Sequence, residues 1–142
     1  MSRVRRLLVL LVLICVAASA SVALAATKGG ITPKAPKKGA TVAVGSQPVF
    51  RGRAAGDGQI WVRVSTSRKT TGLGVIRPSK NTLQLRAKRT KARWALKAPF
   101  YDYPQFWLNR PGTYYWQAHR VPRLCKTADC LIEGPIVMFK VG

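Results

Sequence analysis

Beyond residue 40 the chain alternates apolar and polar side chains with period two, and nowhere does the spacing settle into the 3.6 of a helix. Residues 59–67 carry the pattern most clearly. Ile60, Val62 and Val64 share one face of an extended strand, and Trp61, Arg63 and Ser65 share the other. Residues 113–120 set Tyr114, Trp116 and Ala118 against Tyr115, Gln117 and His119, and residues 136–141 turn Val137, Phe139 and Val141 inward. Turn signals punctuate these runs: Gly45 to Pro48, the Asp57-Gly58 pair, Arg110-Pro111-Gly112, and Glu133-Gly134-Pro135 ahead of the last strand. Shorter strands are expected over residues 40–44, 49–53, 70–76 and 82–85. About seven strands with a turn signal every ~8–12 residues predict an all-β fold, an antiparallel β-sandwich.

The first 26 residues follow a different rule. Arg3, Arg5 and Arg6 precede an unbroken apolar run over residues 7–16, and Ala23-Leu24-Ala25 supplies a small-residue exit. That order is the pattern of a secretory signal peptide, which places the working protein outside the cytoplasm, secreted or associated with the cell envelope. The alternative is an uncleaved anchor, since residues 7–26 are about long enough to span a bilayer, and this is the one expected route to a membrane. Residues 27–39, TKGGITPKAPKKG, hold three Gly, two Pro and four Lys around one bulky apolar residue and read as a linker. Residues 40–142 are left as a single domain.

Charge and cysteines narrow the chemistry. Three of the 25 Lys and Arg lie in the leader, so 22 stand against four acids in the remainder, a net +18. A field of that sign attracts anionic polysaccharides, wall polymers, acidic lipid heads and nucleic acid. Cys15 belongs to the leader, which leaves Cys125 and Cys130. An even pair in an exported chain argues for a disulfide, one that stiffens a single short loop. Four residues between them depart from the redox C-x-x-C spacing, and one His in the whole chain gives no ligand set for a metal.

These stretches also carry a family likeness. Pro36-Lys37-Lys38-Gly39-Ala40-Thr41-Val42 leads to the first strand, and Pro48-Val49-Phe50 opens the second. Leu108-Asn109-Arg110-Pro111-Gly112-Thr113-Tyr114-Tyr115-Trp116 resembles the L-x-P-G-T-Y-Y-W passage into the penultimate strand of bacterial fibronectin type III and immunoglobulin-like domains, with Arg110 as one extra residue. Phe139-Lys140-Val141 is similar to their F-x-V close. The resemblance covers residues 40–142. It implies a sandwich in which Tyr114 or Tyr115 returns its hydroxyl to the backbone as a tyrosine corner. It carries no chemistry, because that fold hosts adhesion, carbohydrate binding and spacing alike.

Catalysis finds little support. His119 is the sole imidazole, and Asp57, Asp102, Asp129 and Glu133 fall at no spacing that aims two carboxylates into one cleft. No G-x-S-x-G elbow is present. We expect no enzyme and no cofactor. Two stretches are candidates for binding. Arg86, Lys88, Arg89, Lys91 and Arg93 put five cations into eight residues, with Lys97 close by. On one extended strand Arg89, Lys91 and Arg93 share a face, where they either gather a polyanion or simply protect a solvated sheet edge. The second is the Pro-bounded aromatic loop over residues 100–107, in which Tyr101 and Tyr103 are the candidates to stack on a ligand. The leading expectation is a non-catalytic extracytoplasmic module that contacts the envelope or an anionic polymer. The alternative is a protein-interaction module using a strand edge or the aromatic loop. Nucleic acid is disfavoured, because no base-stacking platform is evident.

Overall fold

The structure, a computed structural model, describes residues 27–97 and 107–142. The leader and the aromatic loop with Tyr101 and Tyr103 lie outside the described residues. Among the described residues nine strands follow in order: β1 Ile31–Ala35, β2 Thr41–Val42, β3 Val49–Ala54, β4 Gln59–Ser65, β5 Thr82–Arg86, β6 Lys88–Thr90, β7 Arg93–Lys97, β8 Gly112–Val121 and β9 Ile132–Val141. They form a four-stranded sheet, β1-β3-β7-β6, and a five-stranded sheet, β2-β9-β8-β4-β5, packed as a sandwich.

Alternation builds the core. β4 buries Ile60, Val62 and Val64, β8 buries Tyr114, Trp116 and Ala118, and β9 buries Val137, Phe139 and Val141. From the facing sheet come Phe50 and Trp94. Phe50 stands edge-on to Trp116 at 5.4 Å and to Phe139 at 5.9 Å between centroids, and Trp94 meets Trp116 edge-on at 6.0 Å. Edge-to-face contacts suit the ring quadrupoles, and each buried ring adds about 2–3 kcal/mol by leaving water. Gly52 makes room for them: a Cβ there would sit 2.6 Å from Cζ2 of Trp94. Two polar handles of the core are satisfied, while the Trp94 indole N–H has no partner among the described residues. The Trp116 indole N–H donates to the Pro36 carbonyl at 3.1 Å, and the Tyr114 hydroxyl donates to the Arg110 carbonyl at 2.9 Å. Of the two corner candidates, Tyr114 makes the bond back to the backbone.

Several expectations are corrected. Residues 31–35 are not linker but an edge strand paired antiparallel to β3. An edge strand of this kind needs only alternate inward residues, here Ile31, fully buried, and Pro33; a proline at the edge has no second neighbour to deprive of a donor. The strand expected over residues 40–44 shrinks to β2, which runs parallel to β9, so the sandwich is not purely antiparallel. Glu133-Gly134-Pro135 is not a turn. β9 continues through it with a shift of register against β8 at Gly134-Pro135, and Gly134 admits Ile31, whose Cγ2 would lie 2.9 Å from a Cβ there.

Residues 70–76 make one isolated bridge, Thr70 to Ile76, rather than a strand. They belong to a connection over residues 66–81 that folds back across the outer face of the five-stranded sheet. Gln117 fastens it: its Oε1 accepts from the Ile76 N–H at 2.8 Å, and its Nε2 donates to the carbonyls of Gly74 at 3.0 Å and Gly134 at 2.8 Å. Nη1 of Arg63 adds a bond to the Ile76 carbonyl at 2.6 Å. Gln117 and His119 therefore face away from the core and are nevertheless 1% exposed.

Cys125 and Cys130 are bonded, with Cα atoms 5.6 Å apart, an arrangement that fits an oxidising, extracytoplasmic compartment. Replacing both with serine is expected to lower the unfolding free energy by about 2 kcal/mol, the loop-closure value for so short a ring. Urea denaturation reads this, and outright loss of folding would show that the bridge holds more than its own loop. Among the described residues no helix is long and apolar enough to cross a membrane.

Candidate polyanion interface

The basic stretch does not form one strand. β6 and β7 are joined by a two-residue hairpin at Lys91 and Ala92, with Thr90 paired to Arg93, Arg89 to Trp94 and Lys88 to Ala95. Arg89, Lys91 and Arg93 thus do not share a face, which corrects the expectation. Arg89 points the same way as buried Trp94. Its guanidinium is consumed by backbone carbonyls: Lys91 at 2.8 Å, Gly58 at 2.9 Å, Ala54 at 3.0 Å, and Gly56. It is a latch between two loops rather than a free cation. Lys91 occupies the hairpin tip with φ of 53°, a left-handed conformation that costs a lysine about 1 kcal/mol relative to glycine. Arg86 lies on the other sheet, opposite Trp61.

Lys88, Arg93 and Lys97 do share a face, the outer one of the four-stranded sheet, and there they meet two arginines the sequence reading passed over. Strand β3 alternates buried Phe50, Gly52 and Ala54 with exposed Val49, Arg51 and Arg53. The register sets Arg53 directly across from Arg93, Arg51 across from Ala95, and Val49 across from Lys97. Lys34 stands exposed at the bulge of β1 beside Arg51. None of the four strands carries an acid. Like charges directly opposite on a sheet repel, at a cost of a few tenths of a kcal/mol up to ~1. Arg51, Arg53 and Arg93 have no hydrogen-bond or ion-pair partner among the described residues. Ala95, Thr90 and Thr32 lie between the charges, so the face is low and open. The signal was present in the sequence as Phe50-Arg51-Gly52-Arg53-Ala54, charges out of phase with core residues.

The groups that catalysis would draw on are placed otherwise. His119 is buried on the outer face of its sheet, two residues along from the Gln117 that fastens the connection over residues 66–81; burial first, and the Arg63 charge second, push its pKa down to about 4. Its Nδ1 has no partner among the described residues. Glu133 pairs with Lys28 at 3.1 Å, and the Asp57 carboxylate lies 3.9 Å from Nη1 of Arg120. Among the described residues no three His, Cys, Asp or Glu gather to hold a metal ion. Comparisons of the chain with protein-family models, with curated proteins and with solved structures find no match.

Proposed function

We propose that this chain is an exported, non-catalytic module of immunoglobulin-like order that binds an anionic polymer of the cell envelope, such as an acidic polysaccharide or wall polymer. The observation that carries the reading is the outer face of the four-stranded sheet, where Arg51, Arg53, Lys88, Arg93 and Lys97 stand together without an acid. Repulsion left uncompensated inside a fold is relieved by a ligand of opposite charge. The immunoglobulin-like assignment is supported by the strand order: β1, β3, β7 and β6 match A, B, E and D, while β4, β8 and β9 match C, F and G. The Tyr114 bond to Arg110 supports it too. Burial of the one imidazole supports a role without catalysis.

Retention of the purified protein on immobilised heparin and on isolated anionic wall polymer tests the reading. With about five charge contacts, affinity is expected to fall roughly a hundredfold between ~50 and ~200 mM salt. Retention that ignores salt would point instead to a protein-interaction module, and absence of retention on every polyanion would end the proposal.

A further inference from the structure

At the end of the sandwich where Arg53 and Arg93 stand, three connections converge: the β3–β4 turn with Gly56 and Asp57, the hairpin with Lys91, and the start of the β8–β9 loop with Arg123. They line an open hollow of about 630 Å³ whose charged groups are Arg89, Lys91, Arg123 and Asp57. Arg89 forms its fixed floor, since its bonds to four carbonyls hold the turn and the hairpin at set positions. Lys91 and Arg123 are exposed, and their side chains have no hydrogen-bond or ion-pair partner among the described residues. Asp57 is partly neutralised from the β8 side, where Nη1 of Arg120 donates to its carbonyl at 2.8 Å and lies 3.9 Å from its carboxylate. The Asp57 side chain is 65% exposed, and its carboxylate can accept from a hydroxyl.

Lys91 is the informative residue. It is the one non-glycine with positive φ among the described residues, in a two-residue hairpin that glycine or asparagine would close with less strain. Nothing in the hairpin's own packing calls for a lysine, whereas a cation at that point lines the same hollow as Arg123. Resting on the polyanion reading, we infer that this hollow seats one repeating unit of the polymer: a phosphate or sulfate ester held by Lys91 and Arg123, with a hydroxyl of the sugar or polyol that carries it donated to Asp57. The open sheet face attracts the chain, and the hollow fixes its position. A space of this size suits a phosphorylated sugar and exceeds what a bare anion fills.

Titrating ¹⁵N-labelled protein with glucose 6-phosphate, glucose 6-sulfate, glucose and inorganic phosphate tests the seat. Saturable shifts of the Gly56, Asp57, Gly58 and Ala92 amides with one or both esters are expected, with glucose and inorganic phosphate at least tenfold weaker, and the tighter ester names the polymer chemistry. Lys91→Gly is expected to weaken ester binding at least tenfold while the melting temperature stays level or rises; Arg123→Gln is expected to weaken it severalfold. Unsaturable shifts spread over every basic strand, or unchanged binding in Lys91→Gly, would overturn the inference. Polymer retention of the wild-type protein is read separately: retention without a saturable seat sinks this inference alone, and a seat without retention sinks the polymer reading alone.

Discussion

Replacing Arg51, Arg53 and Arg93 together by glutamine is expected to weaken polyanion binding about a hundredfold at low salt and to lower the slope of log affinity against log salt by about 2–3. The fold should be unharmed. Arg53 and Arg93 are directly opposed, Arg51 faces Ala95, and none of the three has a protein partner among the described residues to lose. Removing the opposed pair relieves repulsion, so the unfolding free energy should stay level or rise by about 0.5 kcal/mol. Glutamine keeps the length and polarity of the side chain and changes only its charge. The control carries the same loss of charge elsewhere: Lys69, Arg77 and Lys80, exposed on the connection that covers the other sheet, replaced by glutamine. That triple variant is expected to weaken binding less than about threefold through the general field. Equal losses in the two variants would mean that net charge alone attracts the ligand and that the sheet face is no site.

The same face explains how much the sequence disclosed. Strand β4, most of β8 and the second half of β9 were legible because their inward positions are filled by Ile, Val, Tyr, Trp, Phe and Ala in alternation. The basic stretch was legible as composition but not as geometry. Its reversal at Lys91 and Ala92 contains no Gly, Asn or Pro, so no turn chemistry announced it, and a single continuous strand gave the wrong partition of charges between faces. Two of the five cations of the interface lay in β3, where Arg51 and Arg53 sit too far along the chain to look like part of one cluster; only the β3–β7 register joins them to Arg93. Strand β1 was hidden for a related reason. Its lysines and prolines look like a spacer until Ile31 is seen capping the core from the edge.

Alternation placed His119 on the outer face of its sheet correctly, but an outer face is not solvent when a connection folds over it. Gln117 beside it binds Ile76 and Gly74 of that connection, so the pair behaves as a second, smaller interior. Periodicity reports which side of a sheet a residue takes and says nothing of what a distant loop lays on top.

Acidification is therefore expected to remove about 3 kcal/mol of stability between pH 6.5 and 4, through this one imidazole. Above pH 6.5 His119 is neutral folded and unfolded, and contributes no slope. Below it the unfolded chain binds a proton that the folded protein refuses until about pH 4, so stability falls throughout that window and levels off beneath it. The residues around it give little relief. Trp61 lies opposite on β4 and Glu133 opposite on β9, while the Arg63 charge opposes protonation. Glu133 is held below the usual carboxylate range, chiefly by its own backbone N–H and further by Lys28, so its titration belongs to a more acid window. Because the chain has one histidine, its ring C2–H resonance reports the site without assignment. A midpoint near 4 is expected, together with a urea midpoint that drops steadily from pH 6.5 to 4. His119→Leu should flatten that drop while leaving the acid limb of Glu133 in place. An imidazole that titrates near 6.5 would mean that water reaches His119, and that the connection over residues 66–81 does not seal the face it crosses.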